Sequence, residues 1–241
     1  MDQKYDFKVA MEEIIYSIEG EGESMGIPTI FIRTSGCTVG CAYCDTKSSW
    51  TVKMDNIYDN DRLFEELTIA KNKTGIRRIL ITGGEPLEQS TDVSKMIDFI
   101  DFKFNGYFNI EIETSGVYNL DLIKTNQQIF FIADIKLKNA GSHARNKAKK
   151  GEPIFSSAVK PNNILIKFVV NNRKDWDEAK KIMFKHKDYF YAVSLAFGQN
   201  NKIKVRKDVI SEIAHDMVYD SGFRGVNVRL LIQIHKIMGL Y

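Results

Sequence analysis

The chain has 241 residues, of which 44% are hydrophobic, and this fraction excludes a disordered chain. Its 34 basic and 31 acidic residues leave a net charge of +3, which is too small to indicate nucleic-acid or membrane binding by bulk charge. No apolar run reaches the ~18 residues that a membrane-spanning helix needs, and the N-terminal segment lacks the apolar core of a signal peptide. We therefore expect one cytoplasmic domain, spanning residues 1–241, with no membrane partner.

Short β-branched segments alternate with amphipathic helical segments along the chain. This alternation predicts an α/β domain with a mostly parallel sheet and fewer strands than a complete eightfold barrel has. Strands are predicted at residues 29–33, 78–82, 109–113, 130–135, 164–170, 189–197 and 226–230, and helices at 60–70, 91–100, 175–184 and 207–219. Ser90 or Thr91 is predicted to cap the second of these helices.

One long segment, residues 136–161, shows neither a helix nor a strand pattern and contains several basic residues. At about 25 residues it is longer than an ordinary connection, and loops of this length are often functional. A solvated, charged loop is the simpler interpretation.

All three cysteines, Cys37, Cys41 and Cys44, lie in one loop (residues 35–50) that follows the first predicted strand. A clustered, odd set does not fit a disulfide framework and favours metal or redox chemistry. Three thiolates can hold a cubane [4Fe–4S] cluster and leave one iron open for a further ligand. A structural zinc site would need a distant histidine as its fourth ligand. Zinc and a plain electron-transfer cluster remain alternatives at this point.

Polar residues also follow the next three predicted strands, at the strand ends where barrel enzymes build their sites. Paired glycines allow a backbone to approach a ligand, and an acid can pair with an ammonium group. The simpler interpretation of Gly-Gly-Glu-Pro is a turn. The residues are Gly83, Gly84 and Glu85, then Glu113 and Ser115, then Asp134 and Lys136.

The CxxxCxxC spacing after an N-terminal strand resembles the radical S-adenosylmethionine (SAM) superfamily, and Gly-Gly-Glu-Pro resembles its SAM-binding motif. The resemblance implies a partial (β/α)6 barrel, a [4Fe–4S] cluster on Cys37, Cys41 and Cys44, and cleavage of SAM to a 5′-deoxyadenosyl radical. Tyr43 would shield the cluster or stack near adenine. The SAM contacts that the resemblance implies are Tyr43, Gly83, Gly84, Glu85, Ser115, Asp134, Lys136 and Ser194.

Both ends of the chain resemble the 7-carboxy-7-deazaguanine synthase branch, through Ile18-Glu-Gly-Glu-Gly22 and Gln233-Ile-His-Lys236. The resemblance implies a Mg²⁺ ion held by Thr46, catalytic carboxylates at Glu19 and Glu113, a flavodoxin or ferredoxin-type electron donor, and a homodimer. Arg33 could instead form a surface ion pair, Thr46 could cap a loop, and His235 could be a packed tail residue. The implied substrate pocket contains Ile18, Glu19, Gly20, Arg33, Thr82, His235 and the terminal carboxylate of Tyr241.

One departure from that branch affects the expected substrate, because Glu19 stands where the family has glutamine. An amide donates and accepts hydrogen bonds, whereas a carboxylate only accepts and carries charge. The family's Pro-Ser-Ser after the fourth strand and its Gln-Pro in the sixth are also missing. This pattern resembles queuine lyase, which cuts a cationic secondary amine and leaves the 7-aminomethyl-7-deazaguanine base, and Glu19 would face the ammonium.

Queuine lyase is therefore the function that we expect from the sequence. The first alternative is 7-carboxy-7-deazaguanine synthase, acting on 6-carboxy-5,6,7,8-tetrahydropterin. The second is a non-catalytic metal-binding or tRNA-associated module that uses the basic segment 136–150.

Overall fold

The computed structural model describes residues 5–195, 207–233 and 239. Its described helices are α1 (Asn60–Thr74), α2 (Ser90–Phe104), α3 (Ser142–Ala148), α4 (Glu152–Phe155), α5 (Arg173–Lys185) and α6 (Lys207–Tyr219). None of these is long and apolar enough to cross a membrane. The described strands are β1 (Val9–Ile18), β2 (Pro28–Thr34), β3 (Ile57–Tyr58), β4 (Arg78–Gly83), β5 (Asn109–Thr114), β6 (Phe130–Ile135), β7 (Ile164–Val170), β8 (Phe190–Leu195) and β9 (Asn227–Leu231).

The strands form one sheet in the order β3-β1-β2-β4-β5-β6-β7-β8-β9. Every neighbouring pair from β2 to β9 is parallel, whereas β1 runs antiparallel to both of its neighbours. The sheet is not closed, because β3 and β9 are its two edges. The predicted α/β fold with a partial barrel is confirmed.

Alternate residues of the parallel strands face opposite sides of the sheet. Ile30 and Ile32 pack into the large core that the helices share, whereas Phe31 packs with Leu80 and Ile132 in a separate cluster. The second cluster therefore marks the inner face of the partial barrel, which we call the lumen. The same alternation places the polar residues at the strand ends in the lumen.

Two strands were not predicted, namely β1 and β3. The pairing of β1 with β2 shifts register between Met11 and Glu13, so that a bulge interrupts the two-residue period that identifies strands in a sequence. The strand β3 has only two residues. The other strands agree with their predicted bounds within one or two residues, except that residues 196 and 197 lie outside the described part of the chain.

The predicted cap of α2 is wrong. Gln89 occupies the cap position, and its side chain is bonded instead to the backbone of Ala10 and Ser35. The short 3-10 turn Pro86–Gln89 leads directly into the helix, so that Ser90 is already helical. Side chains do cap two other helices, Asp59 for α1 and Asn172 for α5.

The segment 136–161 is not a solvated loop, and that prediction is wrong. It contains α3 and α4, and Ala144 and Ala148 of α3 are buried against Val39 in the cysteine loop. A backbone bond of 2.9 Å from Ala42 to Ala140 joins the two segments. The sequence pattern missed this because α3 buries small alanines and exposes charged residues, which gives a weak hydrophobic period.

Candidate active site

The cysteine loop begins where β2 ends and turns through two glycines with positive φ, Gly36 at 95° and Gly40 at 64°. Cys41 is buried, Cys37 and Cys44 are half-buried, and none of them forms a disulfide. Apolar side chains, including Val39 and those of α3, lie behind the loop. Burial raises the pKa of the Cys37 and Cys41 thiols. The three thiols are therefore free, and they are backed by an apolar wall.

The donor set fits a cubane cluster better than a single metal ion. Within the described residues, no three His, Cys, Asp or Glu side chains are arranged to hold one ion. A cubane does not need that convergence, because each thiolate binds a different iron atom. His143 lies beside the loop, but its Nε2 is 3.2 Å from the carbonyl oxygen of Thr38, which leaves this nitrogen occupied.

The Gly-Gly-Glu-Pro turn packs its backbone directly onto the cysteine loop. The Gly84 N–H donates to the Thr34 carbonyl at 2.8 Å, and the Glu85 N–H donates to the Gly36 carbonyl at 2.9 Å. A Cβ atom added at Gly84 would lie 2.2 Å from the Gly36 carbonyl oxygen. Glycine is therefore required here for a close approach between two backbones, and not only for the turn.

The carboxylate of Glu85 is fully buried and accepts its hydrogen bonds from within the chain. Its donors are the Leu87 N–H at 3.0 Å, the Thr114 hydroxyl at 2.8 Å, and the N–H and hydroxyl of Ser115, the former at 2.8 Å. Burial raises its pKa against the effect of these bonds. In this structure Glu85 thus ties the end of β4 to the end of β5, and its predicted contact with SAM stays a prediction.

A polar layer lies in the lumen at the carboxyl ends of six strands. Thr82 donates to Glu113 Oε2 at 3.0 Å, and Arg33 pairs with the exposed Glu13 of β1 at 3.1 Å. The ion pair considered as an alternative for Arg33 is therefore present, although Arg33 itself is only 9% exposed, and its predicted contact with substrate stays a prediction. The layer consists of Arg33, Thr82, Glu113, Asp134, Lys167 and Ser194.

Lys167 of β7 is the centre of this layer. Its buried ammonium contacts carboxylates from three elements: Glu113, Asp134 at 3.4 Å and Glu21 at 3.4 Å. Burial opposes its charge, but the three carboxylates outweigh burial and raise the pKa of Lys167 well above its ordinary value. Lys167 and Glu21 were not predicted as site residues. The alternation of β7 held the signal, because Lys167 is the one charged residue among Ile164–Val170.

Asp134 forms a second ion pair, in which Lys136 Nζ is 2.7 Å from its Oδ2. Burial would raise the pKa of Asp134, but Lys136 and Lys167 together lower it. The two buried lysines therefore keep this aspartate ionised. Lys136 Nζ also lies 5.5 Å from the ring centroid of Tyr43, whose hydroxyl is buried without a hydrogen-bond partner.

Glu19 is a buried acid, only 3% exposed. Its Oε1 accepts from the Glu21 N–H at 3.0 Å, and its Oε2 is buried without a partner. Burial and the nearby Glu113 carboxylate raise the pKa of Glu19 to about 8. The group is then mostly protonated at neutral pH, and a protonated carboxyl donates and accepts as an amide does. Glu19 therefore resembles the glutamine of the family more closely than its sequence letter indicates.

The loop after β1 and the C-terminal tail meet at the open side of the sheet. The Gln233 side chain donates to both carboxylate oxygens of Glu21 at 3.2 Å, and Arg229 pairs with Glu23 at 2.6 Å. Gln233 belongs to the tail motif, but it was not predicted as a site residue. His235 and Tyr241, which were predicted, lie outside the described residues.

Three further residues that were predicted for the site are among the described residues. The Thr46 hydroxyl is 3.8 Å from Cys44 Sγ and makes no capping bond to the 3-10 helix that follows, so the loop-cap alternative is wrong. Ser194 is fully buried, and its hydroxyl has no hydrogen-bond partner. Ile18 ends β1, directly before Glu19. Their roles toward Mg²⁺, SAM and substrate stay predictions.

The open parallel sheet, the three free thiols after its first parallel strand and the Gly-Gly-Glu-Pro turn together define a radical SAM protein. The family model of the Radical SAM superfamily matches residues 31–135, and such enzymes use a [4Fe–4S] cluster and SAM. The fold is similar to that of QueE from Escherichia coli, with a TM-score of 0.61 and 21% identity over 93% of each chain. It is also similar to SuiB from Streptococcus suis, with a TM-score of 0.51 and 13% identity over 87% of this chain and 50% of that one.

Curated relatives match over nearly the whole chain. The 7-carboxy-7-deazaguanine synthase of Clostridium acetobutylicum is 30% identical over 231 residues, which is 94% of each chain. The enzyme of the same name from Leptospira interrogans is 29% identical over 252 residues, 96% of this chain and 95% of that one. The chain belongs to the 7-carboxy-7-deazaguanine synthase family of radical SAM enzymes.

Proposed function

We propose that the protein is a 7-carboxy-7-deazaguanine synthase acting on 6-carboxy-5,6,7,8-tetrahydropterin. The observation that carries this proposal is the similarity to enzymes of that name over 94% of both chains. This alternative is now better supported than queuine lyase, the function expected from the sequence. A flavodoxin or ferredoxin-type donor, a homodimer and Mg²⁺ are parts of the proposal.

The chain would hold its cofactors on the cysteine loop and on the Gly-Gly-Glu-Pro turn that packs against it. Cys37, Cys41 and Cys44 would bind the cluster, and SAM, when bound, supplies the radical that takes a hydrogen atom from the substrate. The Thr46 hydroxyl, free of any capping bond, is available as an oxygen ligand. Mg²⁺ prefers oxygen ligands and keeps several waters, so one protein hydroxyl fits such a site when substrate supplies the others.

The lumen would position the substrate and keep water away from it. Lys167 pairs with both Glu113 and Asp134 and helps to keep Asp134 ionised, and Thr82 donates a hydrogen bond to Glu113. Protonated Glu19 can donate to one edge atom of a pterin and accept from another, as the family glutamine would. Such fixed polar groups select an orientation and lower the entropic barrier to reaction.

A second candidate, queuine lyase, is favoured by one specific observation. The unpartnered Oε2 of Glu19 is buried, and the charged groups that act on this residue are two carboxylates, Glu113 and Glu21, and one lysine, Lys167. A cationic amine beside Glu19 would lower the pKa of the carboxyl, which would release its proton to solvent and accept a charge-assisted bond from the ammonium. An anionic carboxypterin gains no such bond.

Parallel assays separate the two candidates. Anaerobically reconstituted, reduced enzyme with SAM is supplied either with 6-carboxytetrahydropterin or with queuine. We expect consumption of the pterin alone and formation of 7-carboxy-7-deazaguanine. Consumption of queuine alone would contradict the proposal and establish the lyase.

The Glu19→Gln variant gives a sharper test of how Glu19 acts. We expect wild-type turnover of the pterin to fall as the pH rises through about 8, because Glu19 then loses its donor proton. The variant should keep its turnover across this range. On the lyase hypothesis, the same change should weaken queuine binding by about 1–3 kcal/mol, because a charge-assisted bond is lost.

The folding stability of the protein should also depend on the titration of Glu19. Glu19 keeps in the folded state a proton that it loses in the unfolded state above pH 4.5, so the folded state loses stability between pH 4.5 and about 8. Glu19→Gln should remove that part of the pH dependence, whereas Glu65→Gln at an exposed position of α1 should not. The unfolding temperature measured at several pH values tests this prediction. If it changes with pH in the same way in the wild type and in Glu19→Gln, Glu19 is not protonated in the folded state.

A further inference from the structure

Trp50 is hydrogen-bonded to the rest of the cysteine loop through both its indole side chain and its backbone. Its Nε1–H donates to Cys44 Sγ at 3.2 Å, and its carbonyl oxygen accepts from the Cys37 N–H at 3.0 Å. Trp50 ends the short 3-10 helix Lys47–Trp50. The residue thus closes the loop by contacts to two of the three thiol-bearing residues, and it was not predicted as a site residue.

Trp50 lies at the boundary between the cysteine loop and solvent. The residue is half-buried, and the Lys47 ammonium lies 5.7 Å from its ring centroid. The apolar residues that follow are exposed, Val52 by 50% and Met54 by 76%. The ring therefore forms the edge of the loop, and its single polar hydrogen points inward at the sulfur.

A hydrogen bond to a cluster sulfur is one of the levers by which a protein sets a reduction potential. Reduction adds one electron and makes the thiolate sulfurs more negative. A donor N–H then stabilises the reduced cluster more than the oxidised cluster, so the potential rises.

We infer that Trp50, through its N–H···S bond to Cys44, raises the reduction potential of the cluster held by this loop. Trp50 is a positioning residue, because it acts through its hydrogen bond to Cys44. The inference depends on the cluster that the family implies, and it is independent of the choice between pterin and queuine.

The Trp50→Phe variant keeps an aromatic ring but removes the donor. Redox titration followed by electron paramagnetic resonance should give a lower midpoint than in the wild type. At the wild-type midpoint, the ratio of reduced to oxidised cluster should fall about threefold to tenfold, as expected for one charge-assisted bond that differs between the two states. Iron and sulfide content should not change. An unchanged midpoint in a fully loaded variant would overturn the inference.

A measurement on the wild-type protein does not depend on how the variant folds. The chain has two tryptophans, and Trp176 donates to Asp216 between α5 and α6. In protein labelled with ¹⁵N-indole tryptophan, pulsed resonance of the reduced cluster should detect a ¹⁵N coupling that persists in Trp176→Phe. Absence of that coupling would overturn the inference. A chain that binds no cluster would overturn both the inference and the proposed function, whereas a loaded cluster without the coupling would overturn the inference alone.

Discussion

Replacing Lys167 with methionine is expected to lower turnover by about 100-fold, because the lumen carboxylates, which we propose position the substrate, lose the cation that fixes them. Glu21, Glu113 and Asp134 all contact this buried ammonium. Removing one partner of a buried ion pair leaves uncompensated charge and costs about 3–5 kcal/mol of folding free energy. The loss should appear in kcat and in the thermal unfolding temperature together.

The pH dependence identifies the cause of that loss. In Lys167→Met the carboxylates can become neutral only by binding protons, so their pKa values rise in the folded state. The stability deficit should therefore shrink as the pH falls toward 5 and grow as it rises toward 8. Lys160→Met removes an exposed lysine and serves as the control. A Lys167→Met enzyme with wild-type turnover and stability would contradict the central role given to this lysine.

The Gly84→Ala variant is expected to lose most of its cluster while the rest of the barrel stays folded. The added Cβ would lie 2.2 Å from the Gly36 carbonyl oxygen and 2.9 Å from that of Ser49, and neither backbone atom can rotate away. Overpacking of this kind costs about 1–3 kcal/mol, which we expect to reduce cluster content to below half of the wild-type value.

Iron and sulfide analysis with circular dichroism measures this effect. Gly75→Ala is the matched control, because Gly75 has a positive φ of 68° but nothing within 4 Å of an added Cβ. The control should lose some stability and keep its cluster. Full cluster content in Gly84→Ala would show that the contact between the two loops does not organise the thiols.

Local sequence patterns were enough to predict the cysteine loop and the strand-end residues. Cys37 to Cys44 and Gly83 to Glu85 are close in sequence, and parallel strands bring their carboxyl ends together whatever the details of packing. The order of strands and helices also follows from local periods. This explains why local patterns predicted the α/β fold with a mostly parallel sheet. The partial (β/α)6 barrel was implied by the family resemblance, and the SAM contacts of these loops stay predictions.

Charge states and partners could not be predicted in the same way. The pKa of Glu19 depends on burial and on Glu113, which lies 94 positions away in the chain. The strand pattern contained Lys167 as the one charged residue of β7, but its contacts to Glu21 and Glu113 exist only in the folded sheet. The N–H···S bond of Trp50 depends on how the 3-10 turn closes the loop. These features come from tertiary contacts that no local pattern contains.

The proposed function requires that the three thiols hold an iron–sulfur cluster that activates SAM, and a single anaerobic experiment decides whether they do. Purified chain is reconstituted with iron and sulfide, analysed for metal, reduced with dithionite and incubated with SAM. We predict about four iron and four sulfide per chain, and release of 5′-deoxyadenosine that is lost in Cys41→Ala. A colourless protein that binds one zinc ion and leaves SAM intact would contradict the account.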